Sequence, residues 1–438
     1  MKSTMLLISM PALGLLSTLA MPIRLAAQPP RYTVTDLGPS GTPFSQATFL
    51  NNSGLVTGVA AAADGTQHAV IWRDGAIADV SKPGLGGPNS GAGGVNEFDQ
   101  IVGQAETSSK DPNNENFCGY GTGLQCLPFV WRYGVITALP LLGGTNGSFG
   151  AINNLGQVAG FAENGNRDPE CPGKVAVNGT GPQVLDFEAV IWGPRPGQIQ
   201  ELPPLPGDTV GMAFGINDYG QAVGTSGRCG NTVIPGFAAG PHAVFWDSDG
   251  SVHDLGNLGG TVNNALLGSG TVGFVINNRG EVTGQSDLKG DNAFHPFLWT
   301  SQKGMQDLGL LPGDLVGAGL AMNNAGDVVG ASISAPGPAS GNPRAFLWRN
   351  GTMTDLNSLI PADSPLYLLT AFGIDDAGEI AGFGVTDSGD LHAFLVTPGA
   401  AAAVGTTEAF VSKGSARPSA LSENARKVVL RQLSMRGQ

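Results

Sequence analysis

Between residues 32 and 397 the apolar residues come in short runs separated by polar turns, and one polar phrase keeps returning. Its first copy is Leu50-Asn51-Asn52-Ser53-Gly54 followed by Gly58. It recurs at Val95-Asn96 with Gly103, Ile152-Asn153 with Gly160, Ile216-Asn217 with Gly224, Ile276-Asn277 with Gly284, Met322-Asn323 with Gly330 and Ile374-Asp375 with Gly382. In all seven the closing glycine stands seven residues after the Asn, or after Asp375 in the last copy. The step averages about 54 residues, and a fixed period of this kind marks a repeat architecture.

Two further landmarks complete the unit. An apolar segment ends in Trp in six copies: His68–Trp72, Pro128–Trp131, Glu188–Trp192, His242–Trp246, His295–Trp299 and Arg344–Trp348, with His392–Val396 as the seventh. Those six positions hold every Trp of the chain. An alternating segment follows the first six, as in Val252-His253-Asp254-Leu255 and Met353-Thr354-Asp355-Leu356.

Asn followed three residues later by Gly suits a type I turn, and the Asn side chain can bond backbone two residues on. The phrase therefore predicts a hairpin of strands A and B. The Trp-terminated segment, rich in β-branched and aromatic residues, predicts strand C, and the alternating segment predicts strand D. Strands A and C are apolar at consecutive positions, which requires cover on both faces, whereas D reads as a solvated edge. Seven four-stranded antiparallel sheets covered by one another describe an all-β, seven-bladed propeller. The Trp residues then fill the core between blades. The last copy stops at Val396 with no strand D, while Tyr32-Thr33-Val34-Thr35-Asp36-Leu37-Gly38 precedes the first copy and matches one. The reading is a ring over residues 32–397, closed by the N-terminal strand, because closure removes the free edges a linear stack would leave.

Composition adds an address. Lys2, an apolar run from Met5 to Ala20 and small residues at Ala26-Ala27 follow the order of a secretory signal, with cleavage expected after Ala27, or alternatively after Ala20. The expected mature chain is secreted, with the periplasm as the other destination, and no later stretch is apolar and long enough to be an integral membrane segment. Beyond Pro398 the composition shifts to a tail in which Ala425, Val429 and Leu433 keep a four-residue spacing among Arg426, Lys427, Arg431 and Arg436, predicting one short amphipathic helix near 422–435. Lys+Arg 22 against Asp+Glu 35 leaves a net charge of −13, which excludes a nucleic-acid partner for want of clustered cations.

The phrases His392-Ala-Phe-Leu, Asp254-Leu-Gly256, Leu258-Gly-Gly260, Gly215-Ile-Asn217 and Gly220-Gln-Ala-Val-Gly224 resemble the extracellular HAF-repeat family over essentially the whole exported chain. The resemblance implies a secreted bacterial repeat protein with a propeller-like fold, and it implies no activity.

Chain direction places the B–C loops and D–A connections on one face, opposite the Asn turns. The B–C loops are unequal: 59–67 in the first repeat, but 104–127, 163–187 and 225–241 in the second to fourth. All four cysteines lie in these long loops, and an even count in an exported chain predicts disulfides, Cys118–Cys126 within one loop and Cys171–Cys229 between neighbours. A metal site would need a close Cys pair or clustered His, and neither is present. Four histidines (His68, His242, His295, His392) share the start of strand C, and Asp36, Asp79, Asp254, Asp307 and Asp355 recur on strand D. Equivalent positions this far from the axis spread around a ring and cannot converge, so both sets are expected to be structural. Strands A carry no charge, and the chain has no nucleophile elbow, no zinc-protease pair and no phosphate loop. Asp247-Ser248-Asp249-Gly250 and the stretch Asp287–Asp291 hint at calcium loops but lack a full ligand set, so no cofactor is expected. The expected function is non-catalytic binding or scaffolding of an extracellular glycan or protein by the long-loop face, with Asn114, Phe117, Tyr120, Arg167 and Arg228 as candidate contacts. The alternative is an extracellular polysaccharide hydrolase or lyase with carboxylates at the channel mouth, for which Asp208 and Asp314 of the recurring Leu-Pro-Gly-Asp are the candidates.

Overall fold

Each Asn of the recurring phrase bends the chain as its side chain dictates. Asn51 Oδ1 accepts from the backbone N–H groups of Ser53 and Leu55, and Gly54, at φ +76°, donates its N–H to Asn51 O. The same geometry recurs at Asn96, Asn153, Asn217, Asn277 and Asn323. In the second repeat Asp99 takes the left-handed position that Gly holds elsewhere, at φ 56°. The flanking apolar segments then pair as hairpins. The structure, a computed structural model, describes residues 32–38, 44–171, 182–229, 233–234, 237–261, 263–265, 274–334 and 343–399. The expected export signal and the tail with its helical stripe lie outside the described residues.

Seven four-stranded antiparallel blades form a ring, a seven-bladed β-propeller. Blade 1 comprises strands A to D at Ser45–Leu50, Val56–Ala61, Gln67–Arg73 and Ala76–Asp79. Blade 7 is composite: Tyr367–Ile374, Ile380–Val385 and Leu391–Pro398 are completed by Tyr32–Asp36, with Val34 opposite Val396. The expected closure is the observed one. Strands A of blades 4, 6 and 7 (Val210–Ile216, Val316–Met322 and Tyr367–Ile374) are buried at every position, and strand D of blade 1 is exposed at all four.

The closing glycine is required by a bulge. Strand A shifts register beside it, as between Ala47 and Phe49 opposite Gly58 or Ala213 and Gly215 opposite Gly224. A Cβ on Gly58, Gly103, Gly160, Gly224, Gly330 or Gly382 would run into a strand-A carbonyl oxygen. The Trp residues pack between blades as expected, and they also tie the connections. Trp72, Trp192 and Trp246 each donate Nε1–H, at 2.7 Å, to the carbonyl of Leu37, Pro140 and Pro203 respectively, just past the preceding blade's strand D.

At the Asn-turn end two hydrogen-bonded circuits join the blades. The amide of each first-position Asn donates to the carbonyl of the next one: Asn51 to Asn96, then to Asn153, Asn217, Asn277, Asn323 and Asp375, at 2.9–3.2 Å. Asp375 has no amide for the seventh link. The second position forms a complete ring: the backbone N–H groups of Asn52, Glu97, Asn154, Asp218, Asn278, Asn324 and Asp376 each donate to the side-chain oxygen of the next, and Asp376 returns to Asn52. These turns line a cavity of about 160 Å³ on the axis.

Two expectations need correction. The long loops are partly strand: in repeats 2 and 3 strand B extends to Lys110 and Arg167 and strand C begins at Leu124 and Leu185, so Cys126 and Arg167 sit on strands rather than in loops. The fourth repeat adds a three-stranded sheet from Val233–Ile234, Phe237–Gly240 and Asn263–Ala265, which pairs its B–C insertion with the connection to blade 5.

Candidate binding face

The insertions of repeats 2–4 share one end of the ring, and their own apolar residues knit them together. Phe117, from the blade 2 insertion, packs 5.7 Å from Phe161 of blade 3 strand B; Phe161 lies 6.0 Å from Phe187 and 6.4 Å from Phe214 of blade 4. This aromatic row sits in the same buried cluster as all four cysteines. The disulfides are Cys118–Cys126, with Cα atoms 5.4 Å apart, and Cys171–Cys229, at 5.2 Å, the pairing the sequence predicts. Asp168 lies beside Cys171 and Cys229, but disulfide sulfurs are not thiolates and do not make this trio a metal site.

Polar cross-links add to the apolar ones. Glu115, in the blade 2 insertion, accepts from the backbone N–H groups of Val184 and Leu185 of blade 3 at 2.7 and 3.0 Å. Arg167 donates to Asn113 at 3.0 Å, and Arg228 holds the Glu170 carboxylate with its Nε 3.0 Å from both oxygens. Arg228 keeps that carboxyl below its usual range.

The five candidate contacts therefore separate. Asn114 and Arg167 are exposed on the face, Asn114 in a left-handed turn at φ 58°. Arg228 is exposed but engaged in joining two blades. Tyr120 is half-buried, its hydroxyl 3.4 Å from Gln67 Nε2 of blade 1, and burial pushes its phenol far up. Phe117 is wholly buried and offers the face no surface.

Beneath the face lie carboxyl groups that strand assignment alone does not reveal. Glu163, wholly buried, accepts from the backbone N–H groups of Thr145 and Asn146 at 3.1 and 2.8 Å. Burial, with the Glu115 charge nearby, pushes it up to about 8. Burial, then Asp186 and Glu201, does the same to Glu188, also to about 8. A signal for Glu163 was present in the repeats. Where the D–A connection reads Leu-Gly-Gly, strand B carries an acid three residues after its closing glycine: Glu106, Glu163 and Asp287. A Cβ on Gly87, Gly144 or Gly260 would meet that acid's own Cβ. Where the connection reads Leu-Pro-Gly-Asp, strand B has Gly227 or Ile333 there and the acid sits on the connection instead. Asp208 accepts from Ser226 Oγ at 2.6 Å, and Asp314 is paired with Arg344 at 2.8 Å.

The recurrent His and Asp form pairs within blades 1, 4, 5 and 7. His68–Asp79, His295–Asp307 and His392–Asp36 lie at 2.8–3.0 Å and His242–Asp254 at 3.3 Å, with Arg344–Asp355 in blade 6 at 3.2 Å. Each Asp also accepts from the backbone N–H two residues on, as Asp36 does from Gly38. The opposite end of the ring holds exposed apolar side chains that the sequence reading overlooked: Phe98, Leu155 and Tyr219, each two residues after its turn Asn in blades 2–4.

No family model matches the chain, and no curated protein matches it. Among solved structures it is similar to a puromycin hydrolase, at 13% identity over 82% of this chain with a TM-score of 0.45. The chain spans about half of that protein, 52%. A gluconolactonase from Xanthomonas campestris is 10% identical, with 84% and 94% of the two chains covered and a TM-score of 0.37. A lectin from Aleuria aurantia, solved with Fucalpha1-6GlcNAc, is 10% identical over 81% of this chain and 93% of its own, with a TM-score of 0.35.

Proposed function

We propose that this chain is a secreted, non-catalytic propeller of HAF-repeat type that binds or scaffolds an extracellular glycan or protein through the insertion face of blades 2–4. The observation that carries the reading is the bracing of that face. Three insertions are joined by the Cys171–Cys229 disulfide, the Phe117–Phe161–Phe187–Phe214 row and the Glu115 and Arg167 cross-links. A surface fixed before contact loses less entropy on binding. Disulfides also belong to an oxidising compartment, in keeping with the expected signal. Among the described residues the channel-side strands carry no Asp, Glu, Lys, Arg or His, and Asp314, one of the two connection carboxylates, is paired with Arg344.

The test is a glycan and surface-protein array with the exported protein and its variants. Asn114→Ala and Arg167→Glu should abolish the recognised signals while Phe98→Ser with Tyr219→Ser leaves them. Loss confined to the second pair would move the binding face to the Asn-turn end and overturn the proposal.

A further inference from the structure

Six seams between blades are filled at the Asn-turn end by the protein's own side chains. The residue four after the turn Asn projects towards the following blade's turn glycine. Gln100 faces Gly156, Gln157 faces Gly220 and Gln221 faces Gly280 across 3.5–3.8 Å from a Cβ built there. Blades 5 and 6 place a carboxylate at that position, and each carboxylate has two partners. Glu281 accepts from the Asn277 amide and pairs with Arg279 at 2.6 Å; Asp327 accepts from the Asn323 amide and pairs with Arg349 at 2.7 Å. A Cβ on Gly326 would strike the Arg279 guanidinium, and one on Gly378 would lie 3.5 Å from that of Arg349. Between blades 1 and 2, Arg73 reaches across to Asp99 at 2.8 Å.

The seam from blade 7 to blade 1 departs from this rule. Glu379 is the equivalent of Asp327, but Asp375 replaces the Asn that would supply an amide, and Thr397 replaces Arg349 after strand C. Among the described residues the Glu379 carboxylate has no hydrogen-bond or ion-pair partner. Asp375 is buried, and its Oδ2 has no partner either. A Cβ on Gly54 would meet nothing within 4 Å. Here lies an open-sided cavity of about 500 Å³, its lining including Glu379, Asp74, Asn52, Leu37, Trp72 and Leu395.

We propose that this cavity is a guanidinium site, taking an arginine side chain against Glu379 in the place that Arg349 fills one blade earlier. A planar guanidinium supplies the donors that the Glu379 carboxylate lacks, and its apolar stem suits the Leu and Trp side chains in the cavity lining. The arginine can come from a basic peptide partner or from the protein's own C-terminal segment, where six of the 22 Lys and Arg but only two of the 35 Asp and Glu lie beyond Pro398.

Titration calorimetry of the full chain with capped arginine (N-acetyl-L-arginine amide) tests this, with capped citrulline as the neutral isostere. Capped arginine should bind at least about tenfold more tightly than capped citrulline. Glu379→Gln should weaken it by a similar factor without lowering the melting temperature. Thr397→Arg, which rebuilds the blade 6 arrangement, should abolish binding and raise the melting temperature. If the C-terminal segment supplies the guanidinium, capped arginine binds only after Arg417, Arg426, Arg431 and Arg436 are all changed to Gln. Equal binding of capped citrulline, binding that survives Glu379→Gln, or no binding to either the native or the tail-substituted chain would overturn the proposal.

Discussion

Asp375→Asn probes the place where the repeat's own chemistry is interrupted. Six first-position Asn residues donate an amide to the next blade, and Asp375 can make the seventh link only while its carboxyl keeps a proton. Burial, with Glu379 beside it, lifts that carboxyl from 3.8 to about 6. The buried Tyr32 hydroxyl also lies within reach of the Asp375 charge. Roughly two pKa units between unfolded and folded chains correspond to about 3 kcal/mol. The folded chain holds the proton more tightly than the unfolded one. The associated stability is therefore fully present below about pH 4 and is lost as pH rises through about 6. Asn donates at every pH and does not titrate. At pH 4 the variant should match the native protein to within about 1 kcal/mol, because the protonated Asp375 carboxyl can donate as the Asn amide does. Its margin over the native protein should grow by up to about 3 kcal/mol by pH 7. For a ring of this size the growth amounts to about 4 °C in melting temperature. Urea unfolding of both proteins at pH 4, 5, 6 and 7 gives the difference directly. Glu163 and Glu188, raised in both proteins, cancel in it. A margin that stays flat with pH, or an Asn variant less stable than the native protein at pH 7, would refute the reasoning.

Two further outcomes follow from the packing. Replacing both Cys171 and Cys229 by Ser releases a bridge spanning 58 residues, worth about 4 kcal/mol on chain entropy, whereas the Cys118/Cys126 pair, spanning 8 residues, should lose only about 2.5 kcal/mol in the same denaturant titration. Gly224→Ala should cost roughly 1–3 kcal/mol or more, read as a lower urea midpoint, because its Cβ meets a backbone carbonyl that cannot move without breaking the bulge.

The ring, its closure and both disulfides were legible because each left a periodic mark: the Asn turn, the Trp-ended strand and the unclaimed Tyr32–Asp36 segment. The second-position ring was equally periodic, with Asn, Asp or Glu in all seven copies, yet turn chemistry explains only the first-position Asn. The use of the second is visible only once neighbouring turns are placed side by side. The candidate face was legible as a set of long insertions but not residue by residue. Phe117 and Asn114 stand three apart in one loop, and which of them points inward depends on Phe161, contributed by another blade. The opening beside Glu379 depends on absences at Asp375 and Thr397 that become meaningful only against blade 6.

The composite seventh blade has a kinetic consequence. Strand Tyr32–Asp36 is made early and pairs only with Leu391–Pro398, more than 350 residues later. For most of synthesis it has no native neighbour, while six blades can form from local hairpins. Contacts of such long range are slow to form because loop closure comes before any reward. Assembly should therefore end in a single late docking step, with the His392–Asp36 pair and the Trp72 tie to Leu37 engaging together as that strand seats.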